Sequence, residues 1–280
     1  MTGKQFIPIV KRANGEYAYE FLGQNWKCAE NELDSVESKI RNTGAYYFVT
    51  TPDEFKDISE DSRKIDELFL KLTLERLEGW IKIADEFLHK QGRRIYVTGG
   101  NDDRFEIDDL LKRSEYMTDC EGQVLEIDSE HEMLSTGYSN ITPWRCPRDI
   151  TEEELGRRIE SMAQSVRDMS RCIFNLHVPP VDCRLDTCAK LDDSVVPPRP
   201  IMDGGNMVMY GAGSSAVRAA IEKHQPLLGL HGHIHESPGV VKVGKTLCLN
   251  PGSEYSEGII RGAIVTCQRD KVVGYQLTSG

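Results

Sequence analysis

The 280-residue chain is long enough to bury a full core, and its 39% hydrophobic and 28% charged residues argue against a disordered chain. A formal net charge of -11 argues against a protein that grips nucleic acid by bulk attraction to phosphate. No apolar run of about 18 residues is present, and Met1 to Phe6 carry neither a signal core nor a lipidation motif, so a cytoplasmic chain with no membrane partner is expected.

The β-prone runs Phe6 to Val10 and Tyr17 to Leu22 flank Asn14-Gly15, a pair that favours a tight hairpin turn. Pro8 lacks a backbone donor and marks the first run as an edge strand. A polar region from Glu30 to Asp61 follows, with a helix near Leu33 to Arg41 and a loop at Thr51-Pro52-Asp53. From Ser62 to Lys90 apolar residues recur at Ile65, Leu68, Leu72, Ile81 and Leu88, the stripe of one long packing helix. Gln91-Gly92 ends it, and the strand Arg94 to Val97 runs out into Thr98-Gly99-Gly100-Asn101-Asp102-Asp103. Taken alone, that exit is ordinary turn chemistry.

Gln123 to Ile127 and Glu132 to Tyr138 read as a strand pair with His131 solvated in its turn. Thr151-x-x-Glu154 is a capping box, stapled by Ile150 and Leu155, that opens a helix from Glu152 to about Met169. The strand Cys172 to Leu176 ends in His177. Val181 to Gly213 shows little periodicity and reads as a surface excursion, either a substrate loop or a linker. Ser214 or Ser215 caps a helix that reaches His224, where an imidazole suits the helix dipole. A hairpin over Val240 to Leu249, the turn Asn250-Pro251-Gly252-Ser253 and a last hairpin from Ile259 to Leu277 close the chain. The eight cysteines form no C-x-x-C pair, and Cys172, Cys248 and Cys267 lie in apolar runs as buried free thiols.

The densest chemistry is Leu230-His231-Gly232-His233-Ile234-His235, directly behind the apolar run Pro226 to Leu230. Imidazole is the commonest protein metal ligand, and alternate residues of an extended segment face the same way, so His233 and His235 could serve one metal centre or two adjacent ones. Three strand exits thus carry ligand-type residues: Asn101, His177, and the pair His233 and His235. Open α/β sheets build their sites beyond the carboxyl ends of strands, so one site could gather all three.

The order Gly100-Asn101-x-Asp103, strand-end His177, then Gly232-His233-x-His235 resembles the last three motifs of the calcineurin-like metallophosphoesterases. Asn250-Pro251-Gly252-Ser253 is similar to that family's turn after the Gly-His-x-His strand, and the resemblance spans about Gly99 to Tyr255. It implies an α/β fold of two packed mixed β-sheets flanked by helices, with residues 1–280 forming a single domain. It implies two divalent metal ions, Mn, Fe or Zn, with Asn101, His177 and His233 on one and His235 on the other. The implied reaction is hydrolysis of a phosphate mono- or diester by a metal-activated water, with a small phosphate ester as partner.

The chain departs from that family in two places. Asp102 stands where the family has a histidine that helps the leaving group, so Asp102 is the candidate catalytic residue, although a carboxylate charge there repels phosphate. The family's Asp-x-His and Gly-Asp motifs have no match upstream of Asn101, and Met1-Thr2-Gly3-Lys4 resembles the segment that follows Gly-Asp in some members. The chain is therefore expected to start one strand-helix-strand unit late and to be a weak enzyme as it stands. The alternative is a non-catalytic metal- or phosphate-binding relative. A serine hydrolase is poorly supported, since Gly213-Ser214-Ser215 lacks the Gly-x-Ser-x-Gly elbow.

Overall fold

Short β-prone runs build the first sheet of the computed structural model, which describes residues 6–89 and 91–280. β1 (Phe6–Lys11) and β2 (Tyr17–Phe21) pair antiparallel across the expected turn, and β3 (Gln24–Cys28) extends the sheet beyond β2. After α1 (Leu33–Asn42), β4 (Tyr46–Thr50) returns parallel to β1, giving the order β3-β2-β1-β4. Pro8 therefore lies on an interior strand and not on an edge. The missing donor is tolerated because β2 reaches only Val10 and Lys11 of β1, which leaves β4 as the neighbour beside Pro8.

The predicted loop at Thr51 is instead the start of α2 (Pro52–Ser59). Thr51 Oγ1 accepts from Glu54 N at 3.3 Å while Glu54 Oε2 accepts from Thr51 N at 2.9 Å, and Pro52 costs nothing in a first turn whose amides have no helical partner. α3 (Ser62–Leu88) follows. Its Arg76 guanidinium lies 3.9 Å over the Tyr46 ring and donates to the carbonyls of Gly44 and Ala45. Ile7, Ile9, Tyr17, Val36 and Ile40 form the core of this first compact unit, which comprises the chain up to Lys82 together with Glu254–Ile259.

The second unit comprises Ile83–Ser253 and Ile260–Gly280. β5 (Ile95–Val97), α4 (Glu106–Leu111) and β6 (Met117–Asp119) make a small parallel pair with its crossover. β7 (Gln123–Glu126) and β8 (Glu132–Thr136) form the predicted antiparallel pair, and β9 (Ser139–Asn140) pairs with β10 (Asp149–Ile150). α5 (Glu152–Ala163) is shorter than predicted: its buried positions Leu155, Ile159, Met162 and Ala163 run out there. β11 is Cys172–Leu176, the span expected from the sequence.

Residues 181–213 are not an irregular excursion. β12 (Thr187–Ala189), β13 (Leu191–Asp192), β14 (Arg199–Pro200), β15 (Met202–Asp203), β16 (Asn206–Met207) and β17 (Met209–Gly211) pair as nested antiparallel ribbons, β12 with β17, β13 with β14 and β15 with β16. Strands of two or three residues are too short to show a period of two in sequence. α6 (Ser215–His224), β18 (Leu228–Leu230), β19 (Gly239–Val243), β20 (Thr246–Asn250), β21 (Arg261–Gln268) and β22 (Lys271–Ser279) complete the unit.

The central sheet has the order β19-β20-β18-β11-β8-β7, with the four inner strands parallel. Alternation along its strands builds two cores. Leu134, Cys172, Phe174, Leu176 and Cys248 pack with Leu155 and Ile159 of α5 and with Val217 and Ile221 of α6. Met133, Ile173, Leu228, Leu247 and Leu249 face the other way, towards Tyr96 of β5, Cys120, and Val265, Cys267 and Val272 of the last hairpin. The result is the mixed α/β architecture of packed sheets flanked by helices that the sequence predicts.

Two smaller expectations change. His131 is 6% exposed rather than solvated, because its ring fills the space between Asp128 and the carbonyl of Arg269. Cys172 and Cys248 are buried free thiols, whereas Cys267 is half-buried on the hairpin. Among the described residues no helix is long and apolar enough to cross a membrane. Met1 to Lys4, which resemble the segment after a Gly-Asp motif, lie outside the described residues.

Candidate functional site

Parallel pairing of β18 with β11 carries His233 and His177 to the same edge of the central sheet, one residue or a short turn beyond each strand. Backbone bonds stitch these exits together. Gly232 N donates to His177 O at 2.9 Å and His177 N to Thr136 O at 3.0 Å. The β5 exit joins them through Glu121, whose carboxylate accepts from Thr98 Oγ1 at 2.8 Å, Thr136 Oγ1 at 2.8 Å and Gly137 N at 2.6 Å. Close approach requires small residues here. A Cβ on Gly137 would lie 1.5 Å from Gly99 O, and one on Gly100 would lie 2.9 Å from His177 Cε1.

Three of the four candidate ligands meet at one atom. His177 Nε2 and His233 Nδ1 each lie 3.1 Å from Asn101 Oδ1, and the two rings sit 5.1 Å apart at 73°. A carbonyl oxygen only accepts, so in this arrangement His177 donates from Nε2 and His233 from Nδ1. Asn101 is buried, and His177 and His233 are half-buried. Desolvation holds both imidazoles neutral. It drives His177 well below its usual value with help from His233, and pushes His233 down to about 4 against the pull of Asp149.

His235 is half-buried in the same loop, and burial lowers its pKa as well. The loop is not the extended segment that the sequence suggests. His233 has a left-handed φ of 64°, so the backbone turns sharply between the two histidines. Asn250 fastens that turn by donating from Nδ2 to Ile234 O at 2.8 Å, and Ser253 N donates to His235 O at 3.1 Å. Asp102, the candidate catalytic residue, is half-buried and accepts from Cys146 Sγ at 3.4 Å. Burial first, and the carboxylate of Asp102 second, push that thiol up to about 12.

Several supporting residues escaped the sequence reading. Asp149 accepts from Asn101 Nδ2 at 2.8 Å, and Arg148 N donates to Asn101 O at 3.0 Å. The Arg148 guanidinium, fully buried, donates to Asp103 O, Arg104 O and both oxygens of Asp108. Ser139 Oγ lies 3.4 Å from His233 Nε2. His231, beneath the site, donates from Nδ1 to Leu176 O at 2.9 Å, and burial lowers its pKa to about 4. These residues lie far along the chain from Asn101 or in another element, and no local pattern marks them.

Among the described residues no group of three His, Cys, Asp or Glu side chains is arranged to hold a metal; the third donor beside the two imidazoles is the carboxamide oxygen of Asn101. The donor set fits a transition metal. Two ligands about 2.1 Å from one ion at right-angled to tetrahedral spacing lie about 3.0–3.4 Å from each other, and both imidazole nitrogens are 3.1 Å from Asn101 Oδ1.

No family model matches the chain. It is 27% identical over 159 residues to the uncharacterized protein MJ1162 of Methanocaldococcus jannaschii, a match that covers 56% of this chain and 63% of that relative. Among solved structures, TT1561 of Thermus thermophilus aligns with 74% of this chain and 79% of its own at 14% identity and a TM-score of 0.45. The sulfate thiohydrolase SoxB of Thermus thermophilus aligns with 88% of this chain and 41% of its own at 10% identity and a TM-score of 0.38. A further crystal structure superposes on 100% of this chain and 99% of its own at 14% identity and a TM-score of 0.52. The likeness that extends over the whole chain is therefore one of fold.

Proposed function

We propose that the chain holds a divalent transition metal, Mn, Fe or Zn, between Asn101, His177 and His233, and that it serves metal-dependent hydrolysis of a small phosphate mono- or diester. The observation that carries this reading is the convergence of two neutral imidazoles on one buried carboxamide oxygen. Neutral nitrogen and oxygen donors suit these ions and leave positions for water and phosphate. His235 is proposed for a second ion. Bound there, such ions lower the pKa of a water and neutralise charge on a phosphate oxyanion.

The protein's own part is positional. Burial keeps both imidazoles uncharged at neutral pH, so each can face a cation with a lone pair once its single proton stands on the other ring nitrogen. Ser139 fixes the plane of the His233 ring. Asp102 is proposed to handle the leaving-group proton. A second reading, a binding relative without turnover, is favoured by one feature of the sequence: Asp102 stands where the resemblance leads to a histidine.

The test is Mn²⁺-dependent release of nitrophenol from bis(4-nitrophenyl) phosphate and from 4-nitrophenyl phosphate, by the wild type and His177→Ala. Turnover that needs Mn²⁺ and is lost in the variant supports the enzyme. Stoichiometric uptake of Mn²⁺ and inorganic phosphate without turnover supports the second reading, and absence of Mn²⁺ uptake overturns both.

A further inference from the structure

We propose that Asp149 is the positioning residue that decides which end of the Asn101 carboxamide faces His177 and His233. The inference rests on the metal-site reading for its consequence but not for its geometry. A carboxamide has an accepting end and a donating end of nearly the same shape, and only the oxygen can ligate a cation. Four donors converge on the Asp149 carboxylate: Asn101 Nδ2 at 2.8 Å on Oδ1, and Thr142 N at 2.9 Å, Thr142 Oγ1 at 2.6 Å and Cys146 N at 3.0 Å on Oδ2.

The turn at 142–146 thereby pins one carboxylate oxygen and leaves the other aimed at Asn101. Flipping the carboxamide would set oxygen against oxygen at Asp149, which no tautomer can repair, whereas the neutral imidazoles could meet Nδ2 by moving their protons to the other ring nitrogen. The Asp149 end loses its hydrogen bond outright, and that loss keeps the flipped form scarce. The backbone is held as well, since Arg148 N donates to Asn101 O. Asp149 also lies on β10, which pairs with Ser139 on β9, the residue beside His233 Nε2. One two-stranded ribbon therefore orients two of the three proposed ligands.

The test compares the wild type with Asp149→Asn, which keeps the shape but can donate as well as accept. In metal-free protein, ¹⁵N shifts of the imidazole rings report which nitrogen carries the proton. The wild type is expected to carry it on His177 Nε2 and His233 Nδ1, and Asp149→Asn to show a mixture. Mn²⁺ affinity, read by calorimetry, is expected to fall about 10- to 100-fold in Asp149→Asn. It is expected to recover in the double variant Asn101→Asp with Asp149→Asn, because a carboxylate presents an oxygen at either end.

Unchanged ring protonation and affinity in Asp149→Asn would overturn the proposal. If that variant does not fold, the double variant is compared with Asn101→Asp alone, and an affinity no higher in the double variant overturns it. If the wild type takes up no Mn²⁺, the metal-site reading fails while the ring shifts still decide the role of Asp149.

Discussion

Replacing Arg148 tests whether a buried cation holds the loop that carries Asn101. The side chain is 0% exposed and its partner Asp108 17%, and the guanidinium also lies 5.0 Å over the Phe105 ring. Arg148→Leu removes donors from Asp108 at 2.7 and 3.1 Å and from the carbonyls of Asp103 and Arg104 at 3.0 Å each. Removing one partner of a buried ion pair costs about 3–5 kcal/mol, because the other charge is left without compensation. In a unit of about 150–250 residues, each kcal/mol moves the melting temperature by about 2–4 °C, so a fall of roughly 6–20 °C is expected by thermal denaturation. Arg148→Lys keeps the charge but not the fork of donors, and should fall between the wild type and Arg148→Leu. A loss under about 2 °C in Arg148→Leu would refute the reasoning.

Gly100→Ala is expected to disturb the site more than the fold, since its Cβ meets the His177 ring, whereas a Cβ on Gly137 meets the Gly99 backbone. Gly137→Ala should therefore cost several times more melting temperature than Gly100→Ala, and equal losses would contradict this. His131→Ala is expected to destabilise by about 1–3 kcal/mol, because it leaves the Arg269 carbonyl without its donor, and to leave metal uptake intact. For pH, the sign follows from burial. His231 and His233 titrate near 4 in the folded chain and near 6.5 when unfolded, so protons favour the unfolded state as pH falls from 6.5 to 4. Above 6.5 these groups contribute no slope. His231 alone accounts for roughly 3 kcal/mol across that window, and His231→Gln should flatten the fall in melting temperature measured in EDTA. A melting temperature that is flat from about pH 6.5 to 5 would contradict it.

Much of this was legible where one local rule acted without a rival. β11 follows from a short, mostly apolar run behind a helix, and the first hairpin from Asn14-Gly15 between two β-prone runs. The meeting of Asn101, His177 and His233 beyond β5, β11 and β18 accords with ligand-type residues at three strand exits. Thr51-Pro52-Asp53-Glu54 misled because a turn and a capped helix start use the same letters, and only hydrogen bonding separates them. His131 misled because its burial comes from a hairpin 138 residues away. Asp149 sits just before Thr151, where the capping signal dominates, and its bond to Asn101 spans 48 residues. Long-range partners of this kind leave no periodicity to read.

The central claim is that Asn101, His177 and His233 form one metal centre, and metal bound per chain measures it most directly. Each variant is loaded with Mn²⁺ or Zn²⁺, desalted, and its metal quantified by mass spectrometry. His177→Ala and His233→Ala are expected to lose the metal of this centre, and Asn101→Ala to bind it more weakly, because imidazole contributes more affinity than a carboxamide oxygen. His131→Ala and His224→Ala should match the wild type, since their rings bond to Asp128 and Arg269 O in one case and to Glu160 in the other. Full metal in His177→Ala and His233→Ala, with loss in His131→Ala or His224→Ala, would contradict the claim.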